Sequence, residues 1–279
     1  MMINFNGKIV CEEDFNINYN NRFFLYGDGF FETIRVFNGE PIFWNDHYFR
    51  IIGSACMLRI PIPSYFNSKY LYNDIIKLLK ENKLSNKSCR LRIIFFRDSG
   101  GYYMPKNETF SYVMSTELLE KDIYTNNKEG YKVDLFNQYK LGTSELNNLK
   151  STNRLINILS SIYTEENMLN DSIIINEKNN IVEFSSGNLF LVLNNQIITP
   201  PLDSGCINGI IRKKILNFNS FMGLSILEKN IKTSDLYNAD ELFSTNVISG
   251  VKIITYLKEK KYSKKYSSLL NDKLNLLFS

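Results

Sequence analysis

The sequence predicts an α+β protein of two domains, and three observations carry that prediction. The dipeptides Asn6-Gly7 and Asn38-Gly39 each sit between short β-like runs, and both residue types tolerate the positive φ of a tight hairpin. Apolar residues at helical spacing recur in both halves of the chain. Between the halves, residues 115–130 are polar and lose all periodicity.

Taken in order, Met2 to Phe5 and Lys8 to Val10 flank the first hairpin signal, and Glu32–Phe37 and Glu40–Phe43 the second. A helix follows, capped by Asn45 or Asp46, with Tyr48, Ile51, Ile52, Ala55 and Met57 on its apolar face. A second helix is expected over 68–82, then buried strands at Cys89–Phe96 and Thr109–Met114. The domains are therefore set at 1–117 and 130–279, with a linker at 118–129. In the second, Thr152–Glu166 shows helical spacing at Leu155, Leu159 and Ile162. Ser172–Asn176 and Asn188–Leu193 are β-like around a turn at Glu177–Asn180, and Asn208 caps a helix running to about Phe218. Two such lobes with a cleft between them suit an enzyme.

Bulk properties narrow the function. The chain has 279 residues, 44% hydrophobic and 22% charged, the profile of an ordinary globular protein. Its net charge of +4 is spread among interleaved acids, so a solvated surface is favoured over a nucleic-acid interface. No run of about 18 apolar residues suggests a membrane span, and MMINFNGKIV lacks the order of a secretory signal. A cytoplasmic protein is expected. Cys11, Cys56, Cys89 and Cys206 stand far apart with no CxxC, and His47 is the only histidine, so no metal site is expected. Cys56 and Cys89 read as small core residues.

The chemistry is open on physics alone. A lone histidine on a helix with apolar neighbours is more often structural than catalytic, and no GxSxG elbow accompanies His47. Gly209, Ile210 and Ile211 open a helix after a Pro200-Pro201 and Ser204-Gly205 turn region, a seat for phosphate through free N–H groups, although a plain turn into a helix reads the same way. Neither GxxxxGK[ST] nor GxGxxG occurs. Lys150 precedes a helix, and nothing in its composition or spacing singles it out from the other lysines.

Read together, YGDGFFETIRVFNG, DHYFRI, LKSTNRL, IVEFSSGNLF, ITPPLDSGCINGIIRK and ADELFSTN resemble, in order, the class-IV, or fold-type IV, pyridoxal-phosphate family. That family includes branched-chain and D-amino-acid aminotransferases and 4-amino-4-deoxychorismate lyases. The resemblance implies a D-amino-acid-aminotransferase-like fold, with a small N-terminal domain, a larger C-terminal one, and pyridoxal 5'-phosphate in the cleft. It also implies a homodimer acting on a small amino-acid-like substrate. By the same resemblance, Lys150 carries the cofactor and shuttles protons, Glu183 pairs with the pyridine nitrogen, and Arg50 binds the phosphate with the backbone at Gly209, Ile210 and Ile211. Asn246 and Val247 complete the cofactor set. Glu32, Arg35, Arg92, Arg97 and Tyr102 border the substrate pocket, while His47 and Asn188 give support.

Departures from the family pattern bear on the reaction. Ile211 stands where threonine is usual, and Val247 where serine or threonine contacts phosphate; valine has no donor. Leu155 replaces the tyrosine that branched-chain enzymes carry five residues after the lysine. The K-x-x-N-R-L run, Arg92, Asn246 and the Arg97–Gly101 turn look more like the lyase, whereas Tyr102 stands where lyases have arginine. The expectation leans to the lyase forming 4-aminobenzoate and pyruvate in the folate pathway. The alternatives are a transaminase for branched-chain or D-amino acids with 2-oxoglutarate, or, remotely, a non-catalytic binding protein.

Overall fold

The protein, a computed structural model, is described over residues 1–106, 110–127 and 129–279. It divides into two compact units, one of 1–122 with 150–153 and one of 123–149 with 154–279.

The first unit is a six-stranded antiparallel sheet with two long helices. Its elements are β1 (Met2–Phe5), β2 (Lys8–Cys11), α1 (Arg22–Tyr26), β3 (Gly29–Phe37), β4 (Glu40–Pro41), α2 (Trp44–Met57), α3 (Ser68–Glu81), β5 (Cys89–Arg97) and β6 (Phe110–Leu118). The sheet order is β2-β1-β6-β5-β3-β4. Both Asn-Gly dipeptides turn hairpins, with Asn6, Gly7, Asn38 and Gly39 all at positive φ. Ile34, Val36, Leu91, Ile93, Ile51, Ala55, Ile75 and Leu78 form the core between sheet and helices.

Local chemistry moves several expected boundaries. β4 stops at Pro41 rather than Phe43: Ile42 N–H still donates to Arg35 O at 3.0 Å, but Phe43 turns into the left-handed region to open α2. α2 is capped by Phe43 in the left-handed region, φ 54°, not by Asn45 or Asp46. Met57 and Cys56, expected in the core, are exposed because the helix buries His47, Ile51, Ser54 and Ala55 instead. β6 runs on to Leu118, into the stretch read as polar and irregular, because each residue from Phe110 to Leu118 pairs with β5. The expected strand start at Thr109, and Lys128 of the expected linker, lie outside the described residues.

The second unit contains β7 (Tyr131–Leu141), α4 (Leu155–Glu166), β8 (Asp171–Asn176), β9 (Ile181–Phe184), β10 (Gly187–Leu193), β11 (Gln196–Thr199), α5 (Ile210–Leu216), β12 (Ser220–Phe221), β13 (Leu224–Glu228), α6 (Thr233–Asn238), β14 (Glu241–Asn246), β15 (Gly250–Leu257), β16 (Lys260–Lys261) and α7 (Ser267–Asn275). Because β9 pairs with both β8 and β10, the path β10-β14-β15-β7-β8-β9 closes on itself. Phe184, Leu189, Leu191, Leu242 and Ile254 pack together in its apolar cluster. α5 starts at Ile210 with Gly209 as cap, one residue later than the Asn208 cap expected, and ends at Leu216.

Residues 150–153 lie within the range expected for the second domain, yet they join the first unit. Phe31 N–H donates to Lys150 O at 2.8 Å and Thr152 N–H to Gly29 O at 3.1 Å, which adds this segment to β3. For this reason α4 begins at Leu155 and not at Thr152. Leu155, Leu159 and Ile162, read as an apolar helix face, are exposed, while Ser160 is the buried residue of that helix. No helix among the described residues is long and apolar enough to cross a membrane.

Candidate active site

In the first unit the site is built on β3 and the segment hydrogen-bonded to it. Lys150 is fixed by its main chain to Phe31, and its Nζ lies 4.4 Å from the centroid of the Phe31 ring. The Arg92 guanidinium carbon lies 4.8 Å from the same centroid. Arg92 is directly opposite Thr33, so Phe31 is its diagonal neighbour across β3–β5, within reach of a long side chain. One aromatic ring thus gathers the lysine and an arginine, each attracted to its negative face.

Glu32, the next residue, meets α2. His47 Nδ1–H donates to Glu32 Oε1 at 2.6 Å, and Arg50 Nε to Glu32 Oε2 at 3.0 Å, with a second bond from Arg50 Nη2 to Glu32 Oε1. His47 and Arg50 are three residues apart on the helix and so share a face. Burial alone would raise the Glu32 pKa, but Arg50 and then His47 more than offset it, holding it at about 2 against an ordinary 4.5. Burial pushes His47 below its ordinary value, though Glu32 pulls the other way. The carboxylate can only accept, so His47 is protonated on Nδ1.

This network gives a pH-dependent stability. Because the folded pKa of Glu32 lies below its unfolded one, the unfolded chain binds more protons between about pH 4.5 and 2, and stability falls with pH there. The contribution, about 3 kcal/mol at most, is complete above that window. Urea unfolding of wild type and Glu32→Gln should therefore show a gap at pH 6 that shrinks to about half by pH 3. An equal gap at both pH values overturns the assignment.

The other residues expected at the substrate pocket are held by backbone groups. Arg35 donates to the carbonyls of Lys121 and Asp122. Arg97 donates to Leu58 O, at the end of α2, and pairs with Asp28 at 3.6 Å. Tyr102 is exposed, in a loop clamped by Arg22, which bonds Asp28 and the carbonyls of Gly100, Tyr102 and Tyr103. Arg22 is nearly buried, and no sequence signal marked it.

In the second unit, Glu183 on β9 is 2% exposed. Arg154 Nη2 donates to its Oε1 at 2.9 Å and Ile207 N–H to its Oε2 at 2.9 Å. Arg154 is the arginine of LKSTNRL, a partner the sequence displayed without a stated role. Asn188 Nδ2 donates to Ile207 O at 2.7 Å, so Asn188 fixes the residue whose N–H holds Glu183. Gly209 caps α5 without any side-chain bond to the first turn, and Ile210 and Ile211 behind it are buried. A Cβ at Gly209 would meet Asn188 Oδ1 at 2.0 Å, so a larger residue there would displace the Asn188 side chain that holds Ile207 O. Asn246 accepts from Ile248 N–H and Ser249 N–H at 3.0 and 2.8 Å, closing its own turn, and Val247 is buried with its carbonyl bonded to Tyr124.

These residues suit a phosphorylated heteroaromatic cofactor. A buried carboxylate is an acceptor suited to a protonated ring nitrogen, and a helix start without a side-chain cap leaves N–H groups for a phosphate.

Residues 29–256 match the model of the family described as amino-transferase class IV. The chain belongs to that family. A putative branched-chain-amino-acid aminotransferase of Methanocaldococcus jannaschii is 26% identical over 252 residues, 90% of this chain and 86% of the relative. An aminodeoxychorismate lyase of Vibrio harveyi is 26% identical over 234 residues, 83% of each chain. A branched-chain amino acid aminotransferase from Escherichia coli superimposes with a TM-score of 0.88 at 20% identity, covering 100% of this chain and 94% of that one. The fold is thus the two-domain α+β fold of type IV, and enzymes of this family depend on pyridoxal phosphate.

Proposed function

We propose that the protein is a pyridoxal-phosphate enzyme in which Lys150 carries the cofactor and moves the α-proton of a small amino-acid-like carboxylate. The observation that carries this reading is Glu183, a buried carboxylate bonded to Arg154 and to the Ile207 N–H beside the glycine-capped start of α5. When bound, the cofactor's protonated ring withdraws the electron pair left by loss of that proton. Glu183 holds the proton on the ring nitrogen, and Arg154 orients Glu183 through a charge-assisted bond. Arg50, oriented by Glu32, and the first N–H groups of α5 hold the phosphate. Lys150 Nζ takes the α-proton and returns it, and Arg92, on the same Phe31 ring, receives the substrate carboxylate.

Within the family the reading is aminodeoxychorismate lyase, giving 4-aminobenzoate and pyruvate. Leu155 supports it. Branched-chain enzymes have a tyrosine there, and a leucine supplies no hydroxyl. The equal identity to a branched-chain aminotransferase relative supports the second reading, a transaminase. One assay separates them. Pyruvate released from aminodeoxychorismate without any amino acceptor fits only the lyase, whereas turnover that needs 2-oxoglutarate fits only the transaminase.

The same reading includes a homodimer, supported by α4. Leu155, Ile158, Leu159 and Ile162, at helical spacing, are 37–72% exposed, an apolar stripe that water solvates poorly. Light scattering should give twice the chain mass, and Ile158→Glu should shift it to the monomer. A wild-type monomer at micromolar concentration overturns the dimer.

A further inference from the structure

Thr245, on β14, is 1% exposed, and its hydroxyl has no hydrogen-bond partner among the described residues. A buried hydroxyl left unpaired is costly, so its direction matters. The register fixes that direction. Asn188 stands directly opposite Glu183 across β9–β10 and directly opposite Thr245 across β10–β14. Residues directly opposite in antiparallel strands project to the same face. Glu183, Asn188 and Thr245 therefore form one polar row. The 207–209 turn lies against that row: Ile207 N–H bonds Glu183, Ile207 O takes Asn188 Nδ2, and Gly209 abuts Asn188 Oδ1. Two residues along from Thr245, the Val247 side chain offers no donor.

We infer that Thr245 is a further cofactor-binding residue, donating its hydroxyl to pyridoxal phosphate in place of the hydroxyl that Val247 lacks. The inference rests on the pyridoxal-phosphate reading above. Ser244 is its internal control. The Ser244 hydroxyl is also buried and without a partner among the described residues, but it stands opposite Leu189 of the apolar cluster, on the other face of the sheet.

The test is titration of apo-protein with pyridoxal phosphate, followed by absorbance, together with melting of the apo and loaded forms. Thr245→Val, which keeps shape and removes the donor, should weaken affinity about tenfold. It should leave the apo melting temperature unchanged or raised, since an unpaired hydroxyl has been removed. Thr245→Ser should bind within about twofold of wild type, and Ser244→Ala should bind as wild type does. The assignment is overturned if Thr245→Val binds as tightly as wild type, or if its loss of affinity comes with an equal fall in apo stability. If wild type itself binds no pyridoxal phosphate, the functional proposal falls with it, which is a different result from a Thr245 variant that binds normally.

Discussion

Lys150→Ala is expected to lose all covalently held cofactor. Wild type loaded with pyridoxal phosphate and reduced with borohydride should carry the label on Lys150; the variant should carry none and show no turnover above background. Loss of a positioned base alone removes about 10²–10⁴ in rate, and loss of the covalent anchor adds to that. The substitution leaves the fold intact, because Lys150 is tied to β3 by its carbonyl, which accepts from Phe31 N–H at 2.8 Å. Alanine keeps that bond and gives up the contact of Nζ with the Phe31 ring, worth about 0.5–2 kcal/mol. Folding and labelling are therefore separable: the variant should retain the wild-type far-ultraviolet spectrum. A reduced cofactor found on a different lysine of the variant would show that Lys150 is not the anchor.

What the sequence revealed of this arrangement follows from the range of the interactions involved. The Asn-Gly hairpins and the run of β5 were legible because turn chemistry and strand composition are local. The start of α2 was not. Its cap, Phe43, is a bulky residue at φ 54°, a conformation that no propensity favours. The apolar spacing of α4 marks a helix without telling what its face meets, since periodicity identifies a face and not what covers it. In the candidate site, residues in short ordered motifs, Lys150 and Glu183 among them, are assigned by resemblance. Their partners are not, because pairing depends on register. Arg154 meets Glu183 across 29 residues, and Glu32 meets Arg50 across 18. The polar row of Glu183, Asn188 and Thr245 spans three strands and is visible only once β10 is known to pair with both β9 and β14. Arg22 stayed hidden because its acceptors are mainly backbone carbonyls, which leave no trace in composition.

Glu183→Gln is expected to slow turnover strongly while leaving cofactor bound. An amide cannot hold a proton on the ring nitrogen, so the electron pair left on the substrate's α-carbon is less stabilised. Losing a hydrogen bond to a charged group is worth about 1.5–3 kcal/mol, roughly 10- to 150-fold in rate. The structure adds a complication with a definite signature. Glu183 also accepts from Arg154 Nη2 and from Ile207 N–H, each at 2.9 Å. Glutamine has a single acceptor oxygen, so it keeps one of these bonds and turns its NH₂ on the other. If the NH₂ faces Ile207, the turn before Gly209 loosens and cofactor affinity falls with kcat. If it faces Arg154, the turn is kept, and the guanidinium, 12% exposed on its side chain and without its counter-charge in either arrangement, loses this acceptor as well. Asn188 still holds Ile207 by its carbonyl at 2.7 Å, which opposes the first arrangement. The affinity for pyridoxal phosphate should therefore change little, and the loss should appear in kcat. Titration of the apo-variant measures affinity, and single-turnover kinetics of the loaded variant measures chemistry. Turnover within threefold of wild type would remove Glu183 from the role of ring partner. A fall in affinity as large as the fall in kcat would assign Glu183 to holding the 207–209 turn instead.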